Sequence, residues 1–178
     1  TRTAHPCPAG SYNPTIERRN ITGCLSAPSG KFVSGVGKSE PSGDCSAGYY
    51  CTGGASAAAP VDGHGGGACT PGTYCPAGSA TPLPSSEGTY GAAEGLGSAD
   101  ECTPCERGYY CSAGQRNACP RRTFSPLPGQ QDVTACVSCS AACGACITNS
   151  TASMDVSQCV CQVGFYMDLG GSCRRCGD

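Results

Sequence analysis

Cysteine is the residue here with the widest choice of chemistry: 18 of the 178 positions carry it. Closely spaced thiolates can hold a metal or exchange electrons; oxidised, they only cross-link. The tightest pairs, Cys136–Cys139 and Cys143–Cys146, each enclose two residues of "CVSCSAACGAC". A zinc ribbon needs about 15 to 20 residues between two such pairs so that both knuckles converge on one ion. Three residues separate them in this chain, and His5 and His64 stand in loop-like sequence far from the cluster. A redox dithiol is activated at a helix N-terminus within a βαβ pattern, and no helical period accompanies any pair. Hydrolytic chemistry has no G-x-S-x-G elbow to use. Glu94, Asp100, Glu101 and Asp168 lie in polar, turn-like stretches where solvated carboxylates are expected. "GHGGGAC" (63–69) lacks the Lys-Ser/Thr ending and the preceding strand of a phosphate loop. No catalytic residue, metal ligand or cofactor site is expected, and the chain reads as a non-enzyme.

That leaves cross-linking. Leu, Ile, Val and Phe together number 19, and Trp is absent, too little apolar mass for an ordinary core. Disorder would need high net charge as well, and the formal charge is only −2. Dense cysteine with a weak core is the composition of secreted proteins in which disulfides restrict the unfolded chain. The even count fits full pairing in an oxidising, extracellular compartment. The chain opens at Thr1 and stops two residues after Cys176; both ends read as cuts, with a leader removed and an array continuing. No run of 18 apolar residues is present, so no membrane insertion is expected in this segment. Short basic groups such as Arg121–Arg122 form no stripe for nucleic acid.

The elements that carry these cysteines must be small. Gly, Pro and Ser interrupt the chain every 5 to 10 residues, so no helix can propagate. Two-stranded ribbons, clearest at "KFVSGV" (31–36) and "VGFYMDL" (163–169), are the most that can form. Isolated ribbons are marginal. Cystines must therefore hold them in line, each ribbon touching mainly its neighbours. The expected fold is a small disulfide-rich rod of tandem cysteine-rich modules, almost without helix.

The modules repeat. "CSAGYYC" (45–51), "CTPGTYC" (69–75) and "CERGYYC" (105–111) share one box, and "CP" starts recur at 7, 75 and 119. Cys7 to Cys24 and Cys119 to Cys136 both span 17 positions, which suggests the pairs Cys7–Cys24 and Cys119–Cys136. Cys75, Cys102, Cys105 and Cys111 allow three connectivities. "CPAGSY", "CTPCERGYYCSAG" and the renewed "CP" resemble ephrin-receptor-type cysteine-rich repeats, close in style to tumour-necrosis-factor-receptor modules. The tail "CSAACGACITNSTASMDVSQCVCQVGFYMDLGGSC" resembles an EGF-like module or a furin-type repeat. The EGF-like resemblance implies Cys139–Cys146, Cys143–Cys159 and Cys161–Cys173. It implies no calcium site here, since "QQDVTACVSC" lacks the acidic entry of the calcium-binding variety. On this reading residues 1–51 form a first repeat, 52–75 a partial one and 75–118 an ephrin-receptor-like one; 119–178 hold a repeat start and the EGF-like module.

Asn20-Ile21-Thr22 and Asn149-Ser150-Thr151 are acceptor sequons for N-linked sugar. Tyr49, Tyr50, Tyr74, Tyr109 and Tyr110 lie within the boxes. A ring beside a cystine covers sulfur and keeps its hydroxyl wet; turned outward, it is a contact residue. Tandem modules, sugars and missing catalytic groups point to an extracellular structural glycoprotein segment in surface coat, adhesion or filament assembly. Its expected partners are protein neighbours or further copies. The resembled families imply the alternative, a ligand-binding segment of a receptor ectodomain; a secreted cysteine-rich ligand is a third, weaker reading.

Overall fold

A computed structural model of the chain describes residues 6–15, 23–140, 146–148, 151–167 and 172–176. The described residues form nine separate two-stranded antiparallel sheets and short 3-10 turns such as Ala99–Glu101 and Val133–Ala135. This is the small disulfide-rich ribbon fold expected from composition. Lys31–Phe32 is shorter than the expected 31–36 strand, because Val33, immediately after Phe32, sends its N–H to the Ala55 carbonyl. Phe165–Met167 starts two residues after the expected 163, and residues 168–169 of that expectation lie outside the described residues.

Two compact units are present. The first holds 1–84 and 91–102, with strand pairs Ser11–Tyr12/Leu25–Ser26, Lys31–Phe32/Gly43–Asp44, Tyr49–Cys51/Gly66–Ala68 and Thr73–Tyr74/Leu83–Pro84. The second holds 85–90 and 103–178. Its pairs are Thr89–Tyr90/Thr103–Pro104, Tyr109–Ser112/Gln115–Ala118, Thr123–Phe124/Val137–Ser138, Cys146–Ile147/Val160–Cys161 and Phe165–Met167/Cys173–Arg175.

One local design recurs in both units. A small residue opens a box; two residues later a turn is closed from the first to the fourth position after it. Thus Ser11 N–H donates to Pro8, Tyr49 to Ser46, Thr89 to Ser86 and Phe165 to Gln162. The third position of each such turn has positive φ, as at Gly10 (82°), Gly48 (86°) and Gly88 (76°), the type II geometry that favours glycine. The fifth residue after the opening is aromatic in eight cases, Tyr12, Phe32, Tyr50, Tyr74, Tyr90, Tyr110, Phe124 and Tyr166; the turn after Cys75, closed by Ser79 N–H to Pro76, carries Ala80 there instead. Within each unit, opening residues return their N–H to the preceding turn, as Cys45 to the Gly30 carbonyl, Cys69 to Gly48 and Cys119 to Gly108. Backbone polarity is thereby satisfied between neighbours rather than in long ladders.

The core is sulfur. Eleven of the fifteen buried apolar side chains among the described residues are cysteines, so apolar packing follows the cystine positions. Phe32 packs on Cys45, Cys51 and Ala55, and Phe124 on Cys139 and Cys159. A closed loop of 17 residues contributes about 3 kcal/mol and one of six about 2 kcal/mol in the chain-entropy picture.

Candidate functional site

Among the described residues the cystines are Cys7–Cys24, Cys45–Cys51, Cys69–Cys75, Cys105–Cys111, Cys119–Cys136, Cys139–Cys159 and Cys161–Cys173. The pairs that an EGF-like tail implies, Cys139–Cys146 and Cys143–Cys159, are corrected by the Cys139–Cys159 bridge. Cys139 N–H donates to the Arg122 carbonyl at 2.9 Å, the bond that an opening residue makes to the preceding turn, and Phe124 packs against it. Cys143 and the side chain of Cys146 lie outside the described residues. Within the grouping Cys75, Cys102, Cys105 and Cys111, Cys75 bonds outside it, to Cys69.

Full pairing is also corrected: Cys176 is an exposed thiol, while Cys102 is buried, at 7% exposure. Cys102 follows Ser85 by 17 positions, as Cys24 follows Cys7. The register Tyr90↔Thr103 repeats Tyr12↔Leu25, so Ser85 stands in a cysteine slot. Ala27 occupies another. Both are buried, at 5% and 2% exposure, because the slot needs a small side chain, not a sulfur. Counting cysteines missed these two boxes; the pattern small-x-x-Gly-x-aromatic at 27 and 85 would have found them.

The aromatic frame divides the five box tyrosines. Tyr50, Tyr74 and Tyr110 fill the recurring fifth position. Tyr49 and Tyr109 sit one residue earlier, where the box at Cys161 carries Phe165 but five others carry Ser11, Lys31, Thr73, Thr89 and Thr123; the fold does not demand a ring there. Around Tyr109 the space is filled. The Arg116 guanidinium stacks 4.7 Å from the Tyr109 centroid and 5.2 Å from that of Tyr90. It donates to Glu106 Oε2 at 2.6 Å, and the Tyr90 hydroxyl donates to Glu106 Oε1 at 3.2 Å. Glu106, by its hydrogen bond first, holds Arg116 more firmly protonated than an ordinary arginine. Tyr49 instead lines an open groove of about 620 Å³ with Tyr50, Val61, Gly66, Gly67 and Glu94. Val61 is 85% exposed on its rim.

Among the described residues no group of three or more His, Cys, Asp or Glu could hold a metal ion, and no helix is long and apolar enough to cross a membrane. Asp62 and His64 meet only through an Asx turn, His64 N–H to Asp62 Oδ1 at 3.0 Å. Glu101 caps its own loop, accepting from Gly97 N–H at 3.1 Å. The sequon residues Asn20 and Asn149 lie outside the described residues.

No family model matches the chain. The cysteine repeat modular protein A of Toxoplasma gondii is 29% identical to it over 188 residues, an alignment covering 97% of this chain and 5% of that protein. The chain thus spans about a twentieth of that relative's length, 5%. Together with the seven cystines among the described residues, this likeness supports a cysteine-rich repeat module.

Proposed function

We propose that the chain is a non-enzymatic segment of an extracellular structural glycoprotein, a cysteine-rich repeat array serving surface coat, adhesion or filament assembly. The observation that carries this reading is how the conserved-looking positions within the chain are spent. Opening residue and turn glycine go into joining one ribbon to the next, Phe32 and Phe124 into covering cystines, and the two residues after each opening, which vary between boxes, are exposed. Such an array is extended by adding copies, which suits a spacer or scaffold better than a pocket built for catalysis. N-linked sugar at Asn20 and Asn149 belongs to the same reading. A second reading, a ligand-binding segment of a receptor ectodomain, is favoured by the open groove at Tyr49.

Negative-stain electron microscopy of the native, oxidised protein from its source, with sedimentation velocity, tests the proposal. Ordered polymers or bundles are the expected result. Isolated monomers at all concentrations would overturn the assembly role and leave the receptor reading.

A further inference from the structure

Two boxes carry a tyrosine that the fold does not require, and they differ in what covers it. In the box opening at Cys105, the hairpin register places Arg116 opposite Cys111. Its guanidinium lies over Tyr109, and Glu106 closes the arrangement at 2.6 Å. In the box opening at Cys45, the same register position, opposite Cys51, holds Gly66. No side chain can be added there: Gly66 has φ of +154°, and a Cβ would come 2.0 Å from the Tyr50 carbonyl oxygen. Among the described residues no guanidinium or ammonium stacks on Tyr49. A carboxylate is nonetheless supplied, by Glu94 on the groove wall. The second box therefore keeps the ring and an acid while lacking the cation.

We infer that the groove of Tyr49, Gly66 and Glu94 is a docking site for an arginine side chain presented by a partner protein. The chain itself shows the occupant's chemistry: a guanidinium against a tyrosine face with a carboxylate at its edge. An arginine suits this set better than a lysine, because its planar group stacks on the ring while still donating to the acid. This rests on reading the chain as an interaction segment, and the two can fail separately. The groove is probed on monomeric protein, whereas the assembly role is read from polymers.

The test is a titration of the isotopically labelled, oxidised 178-residue chain with the capped tripeptide acetyl-Gly-Arg-Gly-amide and its citrulline counterpart, followed by NMR. The arginine peptide is expected to shift resonances of Tyr49, Gly66, Gly67 and Glu94, binding about two- to fivefold more tightly than the neutral one. Tyr49→Thr, which places at this position the residue that three other boxes carry there, and Glu94→Gln are each expected to remove that preference with the remaining spectrum unchanged. Equal binding of both peptides, or shifts confined to other residues, would overturn the inference. So would a methyl glycoside that moves the Tyr49 resonances more than the arginine peptide does; that result would assign the groove to sugar.

Discussion

Gly48→Ala should destabilise the oxidised protein far more than Gly35→Ala, although both glycines have nearly the same φ, +86° and +78°. Either alanine is forced into the left-handed region, at about 1–2 kcal/mol. A less flexible unfolded chain returns about 0.4–1 kcal/mol of that. Gly35 meets nothing within 4 Å, so its net change is about 0–1.6 kcal/mol. At Gly48 the new Cβ would lie 2.4 Å from the Gly95 carbonyl oxygen and 3.2 Å from its carbon. Those are backbone atoms, and the chain around them is tied. Gly95 N–H bonds Cys69 at 2.8 Å, Gly48 N–H bonds Cys75 at 2.8 Å, and Cys69 N–H bonds Gly48 at 2.9 Å. Relieving the overlap means shifting one strand of contacts, about 1–3 kcal/mol, and weakening a hydrogen bond, about 1 kcal/mol. The excess of Gly48→Ala over Gly35→Ala is thus about 2–4 kcal/mol. Urea unfolding followed by tyrosine near-ultraviolet circular dichroism reads it. With a slope of about 1–3 kcal/mol per M, the midpoints should differ by about 1 M or more. Coincident midpoints would refute the claim that close approach between ribbons, rather than the turn's φ alone, requires glycine there.

Three further outcomes follow from the same structure. Phe32→Ala uncovers the Cys45–Cys51 bridge and should cost about 2–3 kcal/mol. That bridge should then be reduced by dithiothreitol ahead of Cys69–Cys75 in timed alkylation and peptide mapping, an order that unmodified protein would not show. Ellman's reagent on the native 178-residue chain should modify exposed Cys176 promptly; a thiol at Cys176 that reacts only in denaturant would contradict its exposure. Asp132 accepts from the Thr134 hydroxyl and then its N–H, which hold its carboxyl below the ordinary aspartate range. The ionised form is the one favoured by folding, so its contribution is complete above the ordinary value and lost as pH falls through the lowered one. Protection factors at Ala135 and Cys136, taken relative to intrinsic exchange at each pH, should fall across that acid window, and Asp132→Asn should remove the fall.

Sequence by itself determined the class of fold. With 19 large aliphatic and Phe residues, 27 glycines and 18 cysteines, short ribbons held by sulfur are the arrangement that burial and turn chemistry leave open. The box with its glycine and tyrosine was also legible, since a type II turn and a ring beside a cystine are local requirements. Two things were not. Ala27 and Ser85 hide repeat openings, because the slot selects for size and cysteine counting selects for sulfur. The tail departs from its EGF-like resemblance because Cys139 is claimed by the Arg122 carbonyl and the Phe124 ring, contacts that connect residues distant from the C-x-C spacing. Tertiary structure alone also decided between Tyr49 and Tyr109. Their sequence neighbourhoods are nearly identical, "AGYYC" and "RGYYC", yet one ring is covered by Arg116 and the other lines a groove. What separates them is the residue opposite the second cysteine on the facing strand, and strand register, a long-range quantity, sets that.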